Sequence, residues 1–198
     1  MDTPTLDQLR EWAAQAGHPL DSLRPRTVIL VRDAALEQEY SKANRHPSWA
    51  ILMDGPDKVR LAQKVRTCPT PSELRKNSAA AKGGVAIMAP GFYRDCWRRG
   101  FHMRAKYGNQ RPCLRQVGQI KVYRDGDGDS IPEWSRTGKL HLNASGVNLH
   151  DDRGSSAGCP IVPREDHPAL MAEIDAMTGE PGDLWDLLLL EPLLTCES

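Results

Sequence analysis

The chain has 198 residues, with 26 Lys and Arg against 26 Asp and Glu and no formal net charge, so the basic surface of a nucleic-acid or anionic-membrane binder is not expected. Hydrophobic residues at 39% and charged residues at 26% fall outside the low-hydropathy, high-charge profile of disorder and allow one domain with a core of its own. Sixteen Gly and fifteen Pro favour short elements joined by turns over a helical bundle.

At the N-terminus, Thr5 and Gln8 have capping-box spacing. Leu6, Leu9, Trp12, Ala13 and Ala16 share one helical face, and Gly17 stands where a C-terminal cap belongs, which predicts a short leading helix. The residues before it carry neither a basic segment nor an apolar one, and no apolar run reaches the roughly 18 residues of a membrane span. The expectation is cytoplasmic synthesis without a signal peptide and without membrane insertion. Thr27–Val31 and Trp49–Met53 read as strands, the second closing in an Asp54-Gly55-Pro56 turn. Residues 63–84, rich in polar side chains, Pro and Gly, read as a long surface segment and a candidate lid.

Strand signals resume at Val85–Met88, stop at Ala89-Pro90-Gly91, and return at Cys113–Val117 and Gln119–Tyr123. Leu140–Leu142, Val147–Leu149 and Ile161–Val162 are short strands. Asp166 and Pro168 open a helix with Leu170, Met171, Ile174 and Met177 on one face, ended by Gly179. Leu184–Leu190 is a buried closing strand. The predicted class is α+β, dominated by mostly antiparallel sheet in a β-sandwich-like arrangement, with a short N-terminal helix and one C-terminal helix.

Five cysteines (Cys68, Cys96, Cys113, Cys159 and Cys196) are odd in number and scattered, with no CxxC pair, which suits neither a disulfide scaffold nor a zinc site. One of them has company. His150 ends an apolar step, a Gly/Ser-rich turn follows, and Cys159 comes nine residues later before another strand. Such a turn can fold back and set an imidazole beside a thiol. The imidazole then lowers the thiol pKa and accepts its proton. Ser156, Ala157 and Gly158 leave backbone amides sterically open for an anionic intermediate. Asp151, Asp152 or a backbone carbonyl could orient the far ring nitrogen of His150. A strand-end histidine and a small buried cysteine would explain the same residues without chemistry.

His150 ahead of Ser156-Ala157-Gly158-Cys159 resembles the signature of YkuD-type L,D-transpeptidases, in which a His precedes Ser-His-Gly-Cys and the Cys accepts the acyl group. Ala89-Pro90-Gly91-Phe92-Tyr93 is similar to the strand entry of that fold, and Tyr123-Arg124-Asp125 is similar to an Arg-Asp segment of its shorter, phage-associated relatives. The resemblance covers residues 85 to 165, and implies a catalytic core over 85–198 within a single domain, preceded by residues 1–84. It implies a thioacyl-enzyme on Cys159 formed from a peptidoglycan stem peptide, with His150 as base, Asp151 and Gly158 in the catalytic group, Ser156 and Ala157 against substrate, and no metal. The sequence departs from the pattern at Ala157, where the second His stands in the family, and at Pro160 and Ile161, where Arg or Asn usually follows.

His141, on the preceding strand, and His102 are candidates to line the cleft; phage-type relatives tend to carry Gly-x-His where Gly100-Phe101-His102 stands. Arg104, Lys106, Arg111 and Arg115 form a basic stretch that suits either stem-peptide carboxylates or a solvated face. Asp125, Asp127 and Asp129 alternate like the first half of a calcium loop, but Ser130 and Arg136 break the second half, so calcium is a weak candidate and no other cofactor is expected. The expected function is cysteine-dependent acyl transfer on stem peptides, with hydrolysis (carboxypeptidase or endopeptidase) favoured over crosslinking. The expected setting is a phage lysis factor, a virion-associated protein, or an enzyme of muropeptide recycling. NlpC/P60-type amidases run Cys before His, the reverse order. The non-enzymatic alternative is a wall-binding or virion structural domain of the same fold, with or without bound calcium.

Overall fold

The computed structural model describes residues 2–39, 46–70, 85–102, 111–125, 140–143, 146–153, 158–180 and 182–192. The leading helix α1 spans Leu6–Gln15, and its capping box is formed as expected: Gln8 N–H donates to Thr5 Oγ1 at 3.2 Å, and Thr5 N–H donates to Gln8 Oε1 at 2.9 Å. Gly17 follows with φ +78°, a left-handed conformation that costs glycine nothing.

Among the described residues eleven strands follow in chain order, with two more helices between them: β1 Pro25–Val31, α2 Ala34–Glu39, β2 Ser48–Asp54, β3 Val59–Val65, β4 Val85–Met88, β5 Gly91–His102, β6 Arg111–Gln116, β7 Ile120–Asp125, β8 His141–Asn143, β9 His150–Asp151, β10 Ile161–Val162, α3 His167–Met177 and β11 Leu184–Leu190. The fold is α+β and mostly antiparallel, consistent with a β-sandwich-like domain. The large sheet runs β3-β2-β1-β11-β5-β6, with β1 and β11 its one parallel pair; β4-β7-β8 form a second, antiparallel sheet and β9-β10 a parallel pair. Residues 1–84 do not stand apart, because β1, β2 and β3 are half of the large sheet.

Two backbone bridges tie β9 and β10 to the edges of that sheet. Leu114 and Leu149 exchange N–H···O bonds of 3.1 and 2.9 Å, and Arg66 and Ile161 exchange bonds of 2.8 Å each way. Hydrogen bonding therefore passes from the end of β3 through β10 and β9 to β6, engaging each edge of the large sheet at one residue.

The apolar runs read as buried strands are buried on both faces. Val28, Leu30, Leu52, Leu187 and Leu189 point into a core shared with Met88, Ile120 and Val122 of the second sheet, with Trp97 and Trp185, and with Leu170, Met171 and Ile174 of α3. Ile29, Val31, Ile51, Met53, Leu188 and Leu190 point the other way and are covered by Leu9 and Ala13 of α1. Burial of one such Leu or Ile side chain is worth about 2 kcal/mol, so α1 is held by its apolar stripe rather than by helix propensity.

Three sequence expectations are corrected. Residues 59–65 form a strand and 65–69 are buried rather than a surface segment; polar Arg60 and Lys64 obscure it in the sequence, but Arg60 pairs with Glu173 of α3 and Lys64 lies 3.9 Å from the Trp49 ring centroid. Residues 71–84, the rest of that candidate lid, lie outside the described residues. β5 is absent from the sequence expectations: it carries a bulge near Asp95, a non-glycine at φ +51°, which shifts its alternation. The C-terminal helix ends at Met177 with Thr178 as its cap, and Gly179 N–H instead reaches Asp183.

α2, which no sequence signal predicts, carries Glu37 into a buried polar knot. Its carboxylate accepts from Ser48 Oγ (2.6 Å), Thr67 N (2.7 Å), Thr67 Oγ1 (2.8 Å) and Cys68 N (3.2 Å), and buried Arg32 donates to Thr67 Oγ1 and to Met88 O. Burial pushes the Glu37 pKa up, while these donors and Arg32 oppose the shift. Removing the carboxylate strands several buried donors at once. Glu37→Ala is therefore expected to cost roughly 3 kcal/mol or more, read as a lower urea midpoint. An unchanged midpoint would show that water replaces the carboxylate.

Candidate functional site

Cys159 lies two residues before β10, the strand that pairs with β9 and its His150. His150 lies in β9 in register with Ile161 of β10, and its backbone N–H donates to Pro160 O at 3.3 Å. Two residues back, Asn148 N–H donates to Cys159 Sγ at 3.4 Å, and the thiol donates to Gly146 O at 3.0 Å. The main chain on one side of the turn thus holds the sulfur on the other. An N–H aimed at sulfur favours the thiolate, while the Gly146 carbonyl holds the proton of the resting thiol.

Glycine at 158 is needed for this placement. It has φ +123°, and an added Cβ would lie within 2.9 Å of Ala86 carbonyl carbon and Cβ in β4, and nearer still to the carbonyl oxygen. The second sheet therefore presses directly on the residue before Cys159. Ser156 and Ala157, the other residues expected in this turn, lie outside the described residues.

His150 is 3% exposed. Its Nδ1 lies 2.6 Å from Asp151 O; the carbonyl can only accept, so Nδ1 carries the proton and Nε2 the lone pair. Of the three groups that could orient this nitrogen, the backbone carbonyl of Asp151 does so. The Asp151 carboxylate is occupied elsewhere, since it is fully buried and accepts from Arg111 at 3.1 Å and from Arg153. Arg153 holds its pKa below the usual carboxylate range against the opposing effect of burial.

His102, at the end of β5, lies over His150 with ring centroids 4.3 Å apart and planes 21° apart. Gln116 N–H donates to Asn148 Oδ1 at 2.9 Å, which fixes the amide so that its Nδ2 donates to His102 Nδ1 at 2.9 Å. Asn148 is thus the residue that sequence reasoning misses: it touches the thiol through its main chain and His102 through its side chain. The signal that could have found it is strand period, since Asn148 and His150 are two apart and share a face.

The remaining candidates are dispersed. His141 is exposed on β8, paired in register with Val122, and no interaction among the described residues joins it to His150 or Cys159. Arg111 is engaged with Asp151, Arg115 is exposed on β6, and Arg104 and Lys106 lie outside the described residues. Asp125 closes β7, while Asp127 and Asp129 lie outside the described residues. No cluster of three potential metal ligands occurs among the described residues, and none of the described helices is long and apolar enough to cross a membrane. Cys113, buried in β6, has its thiol pushed up to about 12 by burial and then by Cys159.

Comparison with family models, with curated proteins and with solved structures returns no match.

Burial, and then the neighbouring His102, pulls the His150 pKa from 6.5 down to about 4; the Asp151 carbonyl opposes the shift. Between pH 6.5 and 4 the unfolded chain binds a proton at His150 that the native protein refuses, so native stability falls as pH falls through that window. The shift corresponds to on the order of 3 kcal/mol. Urea unfolding at pH 7 and at pH 4 is expected to show wild type losing more stability than His150→Gln by about that amount. Parallel losses would refute a buried neutral imidazole. Gly158→Ala, combining a strained φ with a clash against β4, is expected to cost roughly 3 kcal/mol, measured in the same way; a cost under about 1 kcal/mol would mean that β4 does not press on this residue.

Proposed function

We propose that this protein is a cysteine-dependent acyl-transfer enzyme acting on peptidoglycan stem peptides, with hydrolysis favoured over crosslinking. What supports the reading is the pairing of β9, which holds His150, with β10, which begins two residues after Cys159: the Asp151 carbonyl sets the imidazole tautomer, and Asn148 N–H and Gly146 O hold the sulfur. The substrate class rests on the resemblance of His150, Ser156-Ala157-Gly158-Cys159 and the residues 89–93 and 123–125 to YkuD-type L,D-transpeptidases.

In this reading His150 Nε2 takes the Cys159 thiol proton as Sγ attacks the scissile amide carbonyl. The tetrahedral intermediate collapses, the C–N bond breaks, and His150 returns the proton to the departing amine. Water, deprotonated by the same imidazole, then attacks the thioester, releasing the carboxylic acid and regenerating the thiol. A neutral, Nδ1-protonated imidazole is the form this cycle requires at its start. His102 and Asn148 act as positioning residues, fixing the plane and depth of the imidazole. A phage lysis factor, a virion-associated protein or an enzyme of muropeptide recycling would each meet such a substrate.

One observation favours a second reading. Cys159 is 6% exposed and His150 3%, burial that equally suits a wall-binding or virion structural domain in which the pair is inert. Incubation with disaccharide tri-, tetra- and pentapeptides, read by mass, separates the two. Loss of a terminal residue, or gain of a crosslinked dimer, is expected with wild type, neither with Cys159→Ala, and a drop of roughly 10²- to 10⁴-fold in rate with His150→Ala. Equal product from wild type and Cys159→Ala, or no product from wild type, would contradict the enzymatic reading.

A further inference from the structure

The outer face of β5 and β6 extends the row of residues that ends at Cys159. Core side chains fix which face is which: Leu114 and Trp97 of β6 and β5, and Leu149 beside them, all point inward. Alternation then turns Gly100, His102, Cys113 and Arg115 outward together with Asn148 and His150. In register, Arg98 stands opposite Arg115 and Gly100 opposite Cys113. The Leu114–Leu149 bridge places Asn148 next to Arg115, and Asn148 N–H meets Cys159 Sγ. Arg98, Arg115, Asn148 and Cys159 therefore form one cross-strand row.

Two like charges directly opposite on a ladder destabilise it unless a counter-charge is present. Arg98 and Arg115 are both exposed, and neither makes an ion pair or hydrogen bond among the described residues. With strands about 4.8 Å apart, Arg115 lies roughly 10 Å from Cys159.

We infer that Arg98 and Arg115 form an anion-binding subsite that takes a carboxylate of the acyl donor roughly 10 Å from the carbonyl attacked by Cys159. The inference rests on the proposed acyl-transfer reading and adds to it a position along the substrate. Paired guanidinium groups suit a planar carboxylate, which each can meet with two N–H donors. The peptide chain would lie across β6 on the outer face, with Gly100 leaving room beside Arg115, where an added Cβ would meet Arg115 Cβ at 3.6 Å and Arg98 O at 3.9 Å.

The test is alkylation of Cys159 by iodoacetyl-Gly-Gly, whose carboxylate sits roughly 9 Å from the reacting carbon when extended, against its uncharged C-terminal amide. Rates are read by mass on the peptide bearing Cys159, apart from the other cysteines. At low salt the acid is expected to react roughly tenfold faster than the amide, the size of one charge-assisted hydrogen bond. That ratio should fall to about one in R98Q/R115Q, persist in R115K, and shrink with added salt. Both arginines are exposed and stand opposite each other, so the double variant should melt no lower than wild type. A ratio near one in wild type, or one that survives R98Q/R115Q, overturns the inference and leaves the acyl-transfer reading standing. Cys159 inert to both probes overturns that reading and the subsite with it.

Discussion

The reciprocal hydrogen bonds between Leu114 and Leu149 are the contact on which the site depends. They fix β9 against β6, and the Arg66–Ile161 bridge fixes β10 against the end of β3. Between these anchors β9 and β10 pair with each other for only two residues each, too few to be stable alone. Each anchor is backbone, yet it is kept in place by side chains on the core side: Leu149, Val147 and Val162 are buried with Leu114 and Trp97, and Trp97 Nε1 donates to Val147 O at 2.8 Å. Packing inside the sheet thus determines what stands outside it, because turning Leu149 inward leaves Asn148 and His150 no other direction.

Charge is distributed to the same end. The carboxylate next to His150 in sequence is committed elsewhere, Asp151 being held by Arg111 and Arg153. His150 is kept uncharged by burial and then by the second imidazole, against the pull of the Asp151 carbonyl. In the proposed cycle a neutral imidazole needs no prior deprotonation before it takes the proton of the thiol, which rests between an N–H and a carbonyl. The second sheet takes part as well, since β4 meets Gly158 so closely that only glycine fits.

What the sequence displays of this arrangement follows from the range of the forces involved. α1 is legible because its capping box and apolar stripe are local, and β1, β2 and β11 because strands buried on both faces are almost wholly apolar. β3 and β5 are hidden: their polar residues are satisfied by partners distant in sequence, Arg60 by Glu173 and Arg99 by Asp175. α2 is six residues long, begins at an Asp33 carboxylate that accepts from Leu36 N at 3.0 Å, and ends in a buried knot, so it has no periodicity to read. At the site, the His150–Cys159 spacing is readable because a short turn connects them. His102 can be named from the sequence only as a candidate cleft residue, since its contact with His150 spans 48 positions and depends on the register of β5 and β6. That the Asp151 main chain, and not its carboxylate, orients the ring follows from the arginines that claim the side chain.

Burial and the neighbouring His102 keep His150 neutral, the Asp151 carbonyl sets its proton on Nδ1, and the proposed chemistry stands on that state of the ring. Long-range ¹H–¹⁵N correlation spectra of the histidine rings, recorded from acid to neutral pH with His150→Gln to assign the signal, report tautomer and titration together. The expected result is an Nδ1–H tautomer for His150 at neutral pH that persists well into the acid range and titrates near 4. An Nε2–H tautomer, or titration at the ordinary 6.5, would contradict it.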